Sequence, residues 1–224
     1  MTMNESLSAA ASALGIRVPT RGELVADGVV HVIGIVLGVI GAAVLIVLAA
    51  LKHTYVEIIA VSIYAAGMIL MFSCSALYNI ARKSRYREYF RRLDHSGIFL
   101  MIAGTYTPFT TLMLEGTWAI TLTALVWAVA AIGILIKLAW PRRLEGFTTG
   151  LYIALGWVGI VALEPLFMSL GVAALVLLGV GGLLYTVGVV FHLWQRLPYQ
   201  NAIWHGFVVA AAGTHYGAVI TSLI

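Results

Sequence analysis

Residues 29–51 read VVHVIGIVLGVIGAAVLIVLAAL, an apolar run broken by a single histidine. A helix rises 1.5 Å per residue, so about twenty such residues cross the ~30 Å hydrocarbon core of a bilayer. The run is continuous and does not alternate, which excludes a strand of a transmembrane barrel. Comparable stretches recur at 55–78, 96–114, 118–138, 148–163, 166–191 and 202–224. The spacing therefore predicts an all-α membrane protein, a bundle of seven transmembrane helices forming one domain over 23–224. Composition agrees, with 62% of the 224 residues hydrophobic and 10% charged, and a mean hydropathy of +1.01. That balance excludes a soluble enzyme, a nucleic-acid binder and a disordered scaffold. Residues 1–22 lack an early basic region and are expected to form a mobile tail, with no cleaved signal peptide.

The gaps between spans alternate in character. Residues 52–54, 115–117 and 164–165 read as tight turns, whereas 79–95, 139–147 and 192–201 are longer and polar. Arg17, Arg21, Arg82, Lys83, Arg85, Arg87, Arg91, Arg92, Lys137, Arg142, Arg143 and Arg196 all fall on the side of the polar gaps, and only Lys52 falls on the other. Short loops rich in Lys and Arg stay cytoplasmic, so the N-terminus is expected in the cytoplasm and the C-terminus outside. Glu115, Glu164 and His53 then lie in outer turns, where solvation explains them. Trp118, Trp140 and Trp194 suit interfacial anchors. Gly34 and Gly38, or Gly213 and Gly217, suit close helix packing. Cys74 reads as a small buried hydrophobe, and Pro108 as a site of helix kinking.

Polar side chains in the spans are costly and therefore informative. Glu23, Asp27 and His31 recur every fourth residue, on one face of a helix entering the first span. Ser75 and Asn79 stand four apart at the end of the second span, Asp94 and His95 open the third, His192 ends the sixth, and Asn201 and His205 open the seventh. The topology gathers these helix ends into one layer at the cytoplasmic face. His215 lies ten residues beyond His205, about 15 Å along the helix, and reads as a neutral histidine bonded to a neighbouring helix. From residue types alone the layer is either a hydrogen-bonded polar plug or a metal site with Asp94 and His205 as ligands.

The segment Arg91–Phe109 (RRLDHSGIFLMIAGTYTPF), with Cys74–Asn79 (CSALYN) and Ile203–His215 (IWHGFVVAAAGTH), resembles the bacterial hemolysin III proteins. These belong with the adiponectin and progestin receptors in one seven-helix family, and the resemblance covers nearly the whole chain. It implies residence in the bacterial cytoplasmic membrane. It also implies a zinc ion near the cytoplasmic side, held by a histidine four residues after a serine in the second helix and by a His-x-x-x-His pair opening the seventh, with an aspartate of the third helix acting through water. Ser75, Asp94 and His205 match that pattern, while the other two histidine positions fall on Asn79 and Asn201. Two arrangements stay open: a metal-free core in which the asparagines bond to each other, to Ser75 or to Asp94, or a metal that recruits Asp27, His31 or His95.

Three functions follow from that resemblance. The first is a sensor of membrane stress or lipid composition, whose partner is a membrane lipid such as a fatty acid or acyl amide. The second is a zinc-dependent lipid-amide hydrolase of the ceramidase kind, with Asp94 as base and Ser75 positioning the reacting group. The third is a pore, which the apolar outer halves of the spans disfavour.

Overall fold

The computed structural model describes residues 18–52, 54–140, 142 and 144–223, the side chain of Lys52 excepted. Residues 1–17 of the expected tail, with Arg17, and also His53 and Arg143, lie outside the described residues. The helices are α1 (Arg21–Lys52), α2 (Tyr55–Ile80), α3 (Arg87–Leu112), α4 (Gly116–Ala139), α5 (Glu145–Trp157), α6 (Leu163–Ser169), α7 (Val172–Leu193) and α8 (Gln200–Leu223). A 3₁₀ turn at Val158–Ala162 joins α5 to α6 in one rod. Among the described residues all regular structure is helical. Six segments are long and apolar enough to cross a membrane: α1, α2, α4, the α5–α6 rod, α7 and α8. Helix α3 is equally long but opens with Arg87, Glu88, Arg91, Arg92 and Asp94.

One detail differs from the sequence reading. Glu164 and Pro165, read as a turn, lie in the first turn of α6. A proline there sacrifices no hydrogen bond, because the first amides of a helix have no partner within it. The chain reverses instead at Leu170 and Gly171. Pro108 lies inside α3, flanked by the hydroxyls of Thr107 and Thr111, which donate back to the carbonyls of Ala103 and Thr107 at 2.8 and 2.7 Å.

Neighbours in sequence pack broadly along α1/α2, α2/α3, α3/α4 and α7/α8, and α1 closes against α8. The α2/α3 seam is the closest. A Cβ on Gly67 would meet the Leu100 carbonyl oxygen at 3.2 Å, and one on Gly104 would meet the Ile63 carbonyl oxygen at 3.3 Å, so only glycine lets these backbones touch. Between α3 and α4, Thr123 donates to Thr110 at 2.7 Å and Trp127 to Thr107 at 3.1 Å, polar contacts that hold where the apolar effect is weak. Outward faces carry exposed Val29, Val32, Val36, Leu37, Val176 and Leu183, as a lipid-facing surface requires. The α5–α6 rod touches its neighbours only sparsely. That slack leaves a cavity beside it.

Candidate functional site

The four-residue spacing on α1 sets Glu23, Asp27 and His31 on one buried face. Glu23 closes a capping box with Thr20: the Thr20 amide donates to Oε2 at 2.9 Å, and the Glu23 amide to the Thr20 hydroxyl at 3.4 Å. Its other oxygen accepts the Tyr199 amide at 3.1 Å. Tyr199 is held at φ 58°, a left-handed conformation uncommon outside glycine, so this bond fastens a strained turn before α8 to the start of α1.

One turn further in, Asp27 is 2% exposed and anchors a polar node. His31 Nδ1 lies 2.7 Å from the Asp27 backbone carbonyl, an acceptor only, so that nitrogen carries the proton and donates it. His205 Nδ1 lies 2.6 Å from Asp27 Oδ1 and donates likewise. Both Nε2 atoms face Ser75 Oγ, at 3.2 Å from His31 and 3.4 Å from His205. The Asn79 amide nitrogen reaches His31 Nε2 at 3.4 Å and donates to the Ser75 carbonyl at 3.0 Å. The two imidazoles meet edge to face, with ring centres 4.3 Å apart. Arg82 Nη2 stands 3.8 Å from Asp27 Oδ2, and its Nε donates to the Asn79 carbonyl at 3.1 Å. Asp94 shares a small cavity of about 40 Å³ with His31, Ser75 and His205.

Asp27, His205 and Ser75 thus form a carboxylate–imidazole–hydroxyl series. The sequence conceals it, because Asp27 and Ser75 lie 178 and 130 residues from His205. Arg82, expected only to set topology, also proves to be a neighbour of the node. The remaining expected site residues stand outside the node, although Asn201 and His95 line one opening with Glu23, Asn79 and His205. Asn201 lines a wider opening of about 470 Å³ at the same end of the bundle. His95 faces a second cavity, and its backbone carbonyl accepts the Tyr152 hydroxyl at 2.9 Å. His215 donates from Nε2 to the Leu178 carbonyl at 3.3 Å, while its Nδ1 is buried with no partner.

That second cavity, about 150 Å³, lies between α3, the α5–α6 rod, α7 and α8. Ile102, Tyr106, Trp157 and Val189 give it an apolar body. Lys137, His95 and His192 line it toward the basic end, and Tyr185 and His215 lie deeper. The Tyr185 hydroxyl is also buried without a partner. Lys137 is 3% exposed, with its ammonium 5.9 Å from the Tyr152 ring centre. The sequence reading took this lysine for a topological marker. A signal was present, since Leu122, Val126, Ala130, Gly133 and Lys137 recur at helical spacing and make up the buried face of α4. The cavity and the node share Met71, Ile98 and Trp204 as walls.

The basic run after α2 is also structural. Arg91 bridges Glu88 and Glu145, Arg142 pairs with Glu88 at 2.8 Å, and Arg92 donates to the Leu138 carbonyl at 2.7 Å. Burial alone would raise the Glu88 carboxyl, but its bonds to Arg91 and Arg142 outweigh that and hold it below the usual range.

A zinc ion finds a donor set here, though not the one the resemblance implies. Asn79 and Asn201 offer neutral carboxamides, which are poor zinc ligands. Asp27, His31 and His205 offer one carboxylate and two imidazoles, with one ligand atom from each within 4.8 Å of the others.

Comparison with known proteins supports the sequence resemblance. The family model described as Haemolysin-III related matches residues 23–216. The chain is 37% identical over 198 residues to Hemolysin-3 of Bacillus cereus, covering 88% of this chain and 90% of that protein. It is 35% identical over 201 residues to the Hemolysin-3 homolog of Bacillus subtilis (strain 168), covering 90% and 94%. A more distant relative is the human monocyte to macrophage differentiation factor, 29% identical over 207 residues, covering 90% and 84%.

Proposed function

Because the chain belongs to the haemolysin-III-related family, we propose that it is an integral membrane protein that senses lipid composition or membrane stress. In this reading it spans the bacterial cytoplasmic membrane seven times, with α3 as one of the spans, its N-terminus in the cytoplasm and its C-terminus outside. The partner is a fatty acid or a similar acyl lipid. One observation carries this: the cavity beside the α5–α6 rod joins an apolar body to a buried lysine, Lys137, at its basic end. An ammonium taken out of water needs an anionic partner; Glu145, which lines the same cavity, is already paired with Arg91, so a fatty-acid carboxylate supplies the further negative charge while its chain covers the apolar walls. The cavity takes the head and first methylenes, and the tail follows the sparsely packed flank of the rod. The test is extraction and mass analysis of acyl lipids retained by the detergent-purified protein. Wild type should retain fatty acid in near-stoichiometric amount, and Lys137→Gln should retain several-fold less. Equal retention by both sinks the assignment.

A second reading, a lipid-amide hydrolase, draws on the Asp27–His205–Ser75 series and on Asp94 in the same small cavity. In it Asp94 serves as the base and Ser75 positions the substrate or stabilises the developing oxyanion. Release of fatty acid from an acyl amide by wild type, absent in Asp94→Ala, would move this reading to first place. Pore formation ranks last, since the described helices show no continuous polar face along their length.

A further inference from the structure

Five of the hydroxyls that line the cavity beside the α5–α6 rod spend their protons on backbone carbonyls. Thr105 donates to Met101 at 2.8 Å, Tyr106 to Gly156 at 2.9 Å, Thr149 to Glu145 at 2.9 Å, Tyr152 to His95 at 2.9 Å and Thr186 to Gly182 at 2.7 Å. The sixth, on Tyr185, is buried and bonds to nothing among the described residues. Beside it, with ring centres 5.6 Å apart, His215 gives its Nε2 proton to the Leu178 carbonyl at 3.3 Å and leaves Nδ1 buried and unmet. A neutral ring that donates from Nε2 is an acceptor at Nδ1, so the two side chains present one donor and one acceptor together. The backbone makes room for them, since a Cβ on Gly181 of α7 would overlap the His215 ring. Buried polar atoms left without partners are costly, and two of them in one cavity point to a ligand that completes both.

We propose, resting on the fatty-acid reading of this cavity, that Tyr185 and His215 form its second polar subsite and take a hydroxyl carried part-way along the acyl chain. The ligand class is then a fatty acid hydroxylated in mid-chain. An alcohol meets both atoms at once, because its proton goes to His215 Nδ1 while its oxygen accepts from the Tyr185 hydroxyl. A ketone meets the phenol alone, and a methylene leaves both atoms unsatisfied. Helix α7 sets the spacing. Tyr185, Val189 and His192 recur at i, i+4 and i+7, so one face of the helix carries a polar, an apolar and a polar side chain along the cavity. His192 lines the basic end with Lys137, and seven residues separate it from Tyr185, about 10.5 Å along the helix. An extended acyl chain of ~1.5 Å bonds advances roughly 1.3 Å per bond, so a carboxylate at Lys137 sets the eighth to tenth carbon beside the pair.

The experiment incubates the detergent-purified full chain with an equimolar mixture of octadecanoic acid, its derivative hydroxylated at the tenth carbon and the isomer hydroxylated at the second. Gel filtration followed by mass analysis gives the ratio in which they are retained. The mid-chain hydroxy acid should be held about tenfold over octadecanoic acid, the gain of one or two satisfied hydrogen bonds. It should also exceed the second-carbon isomer several-fold, since that acid has the same polarity but carries its hydroxyl at the basic end. Tyr185→Phe keeps the ring and removes the donor, and should bring the mid-chain preference over octadecanoic acid below about threefold. Equal retention of the mid-chain hydroxy acid and octadecanoic acid overturns the subsite and leaves the fatty-acid reading standing. Equal retention of the two hydroxy isomers overturns it as well, and so does a preference that survives Tyr185→Phe intact. Retention of none of the acids removes the fatty-acid reading, and the subsite with it.

Discussion

Where α2 crosses α3 the two backbones touch through glycine, whereas beside the α5–α6 rod the helices stand apart around a cavity of about 150 Å³. The first seam lies beside Tyr64 and Phe99, both fully buried. The second leaves the Tyr185 hydroxyl and His215 Nδ1 buried and unpartnered. Lipid tails are as apolar as leucine, so a membrane bundle gains little by merely burying hydrocarbon. Close contact therefore marks the part that must stay fixed. Slack with unspent polar atoms marks the part where the proposed acyl lipid would sit.

The sharpest way to break this contrast is to thicken the tight seam. Gly67→Leu drives a side chain into the Leu100 carbonyl and should abolish accumulation of folded protein, a loss of about 3 kcal/mol or more. Gly179→Leu on α7, where a Cβ meets nothing within 4 Å, should leave the unfolding midpoint in detergent nearly unchanged. Equal damage from both would show that the two sides are packed alike. A smaller effect is expected where α4 meets α3. Thr107→Val removes the acceptor of the Trp127 indole and should cost about 1 kcal/mol in thermal unfolding.

On the loose side the same kind of deletion should cost nothing. Tyr185→Phe removes a hydroxyl that has no partner, so stability should hold or rise by up to about 1 kcal/mol, while acyl-lipid retention falls if that hydroxyl serves the ligand. The smallest effect belongs to the basic end. Glu88 is held below the usual carboxylate range, so its contribution is present above a pH of about 4.3 and is lost as pH falls through its folded-state value. Glu88→Gln should therefore lower stability by less than ~1 kcal/mol at pH 7, and the gap should close on acidification. Thermal unfolding of both proteins between pH 7 and pH 3 reads this directly.

Much of the architecture was legible because it is local. Apolar length marks the helices, and the four-residue spacing of Glu23, Asp27 and His31 announces a single face. The 3₁₀ break at Val158–Ala162 was not legible, since no proline or charge interrupts the run VGIVA. Glu-Pro at 164–165 suggested a turn because the same pair suits the first turn of a helix equally well. The inward aim of Lys137 was readable only from the phase of α4, and its charge drew attention to topology instead. Least visible was the choice of partners. Nothing in the sequence around Asp27 says that its carboxylate meets His205 and not a nearer group, because that pairing is decided by how α8 closes on α1.

The separation of those partners also bears on how the molecule is made. Asp27 enters the membrane with the first helix, and His205 is 178 residues away in the chain. At the usual 5–20 residues per second, synthesis takes on the order of ten to forty seconds to reach it. Through that interval the carboxylate and His31 wait at the entry of the first span without their final companion. Arrival of the last helix ends the wait, so closure of α8 on α1 works as a completeness check on the nascent chain. A chain that stops short of α8 lacks the His205 contact and leaves Asp27 with Arg82 and His31 alone.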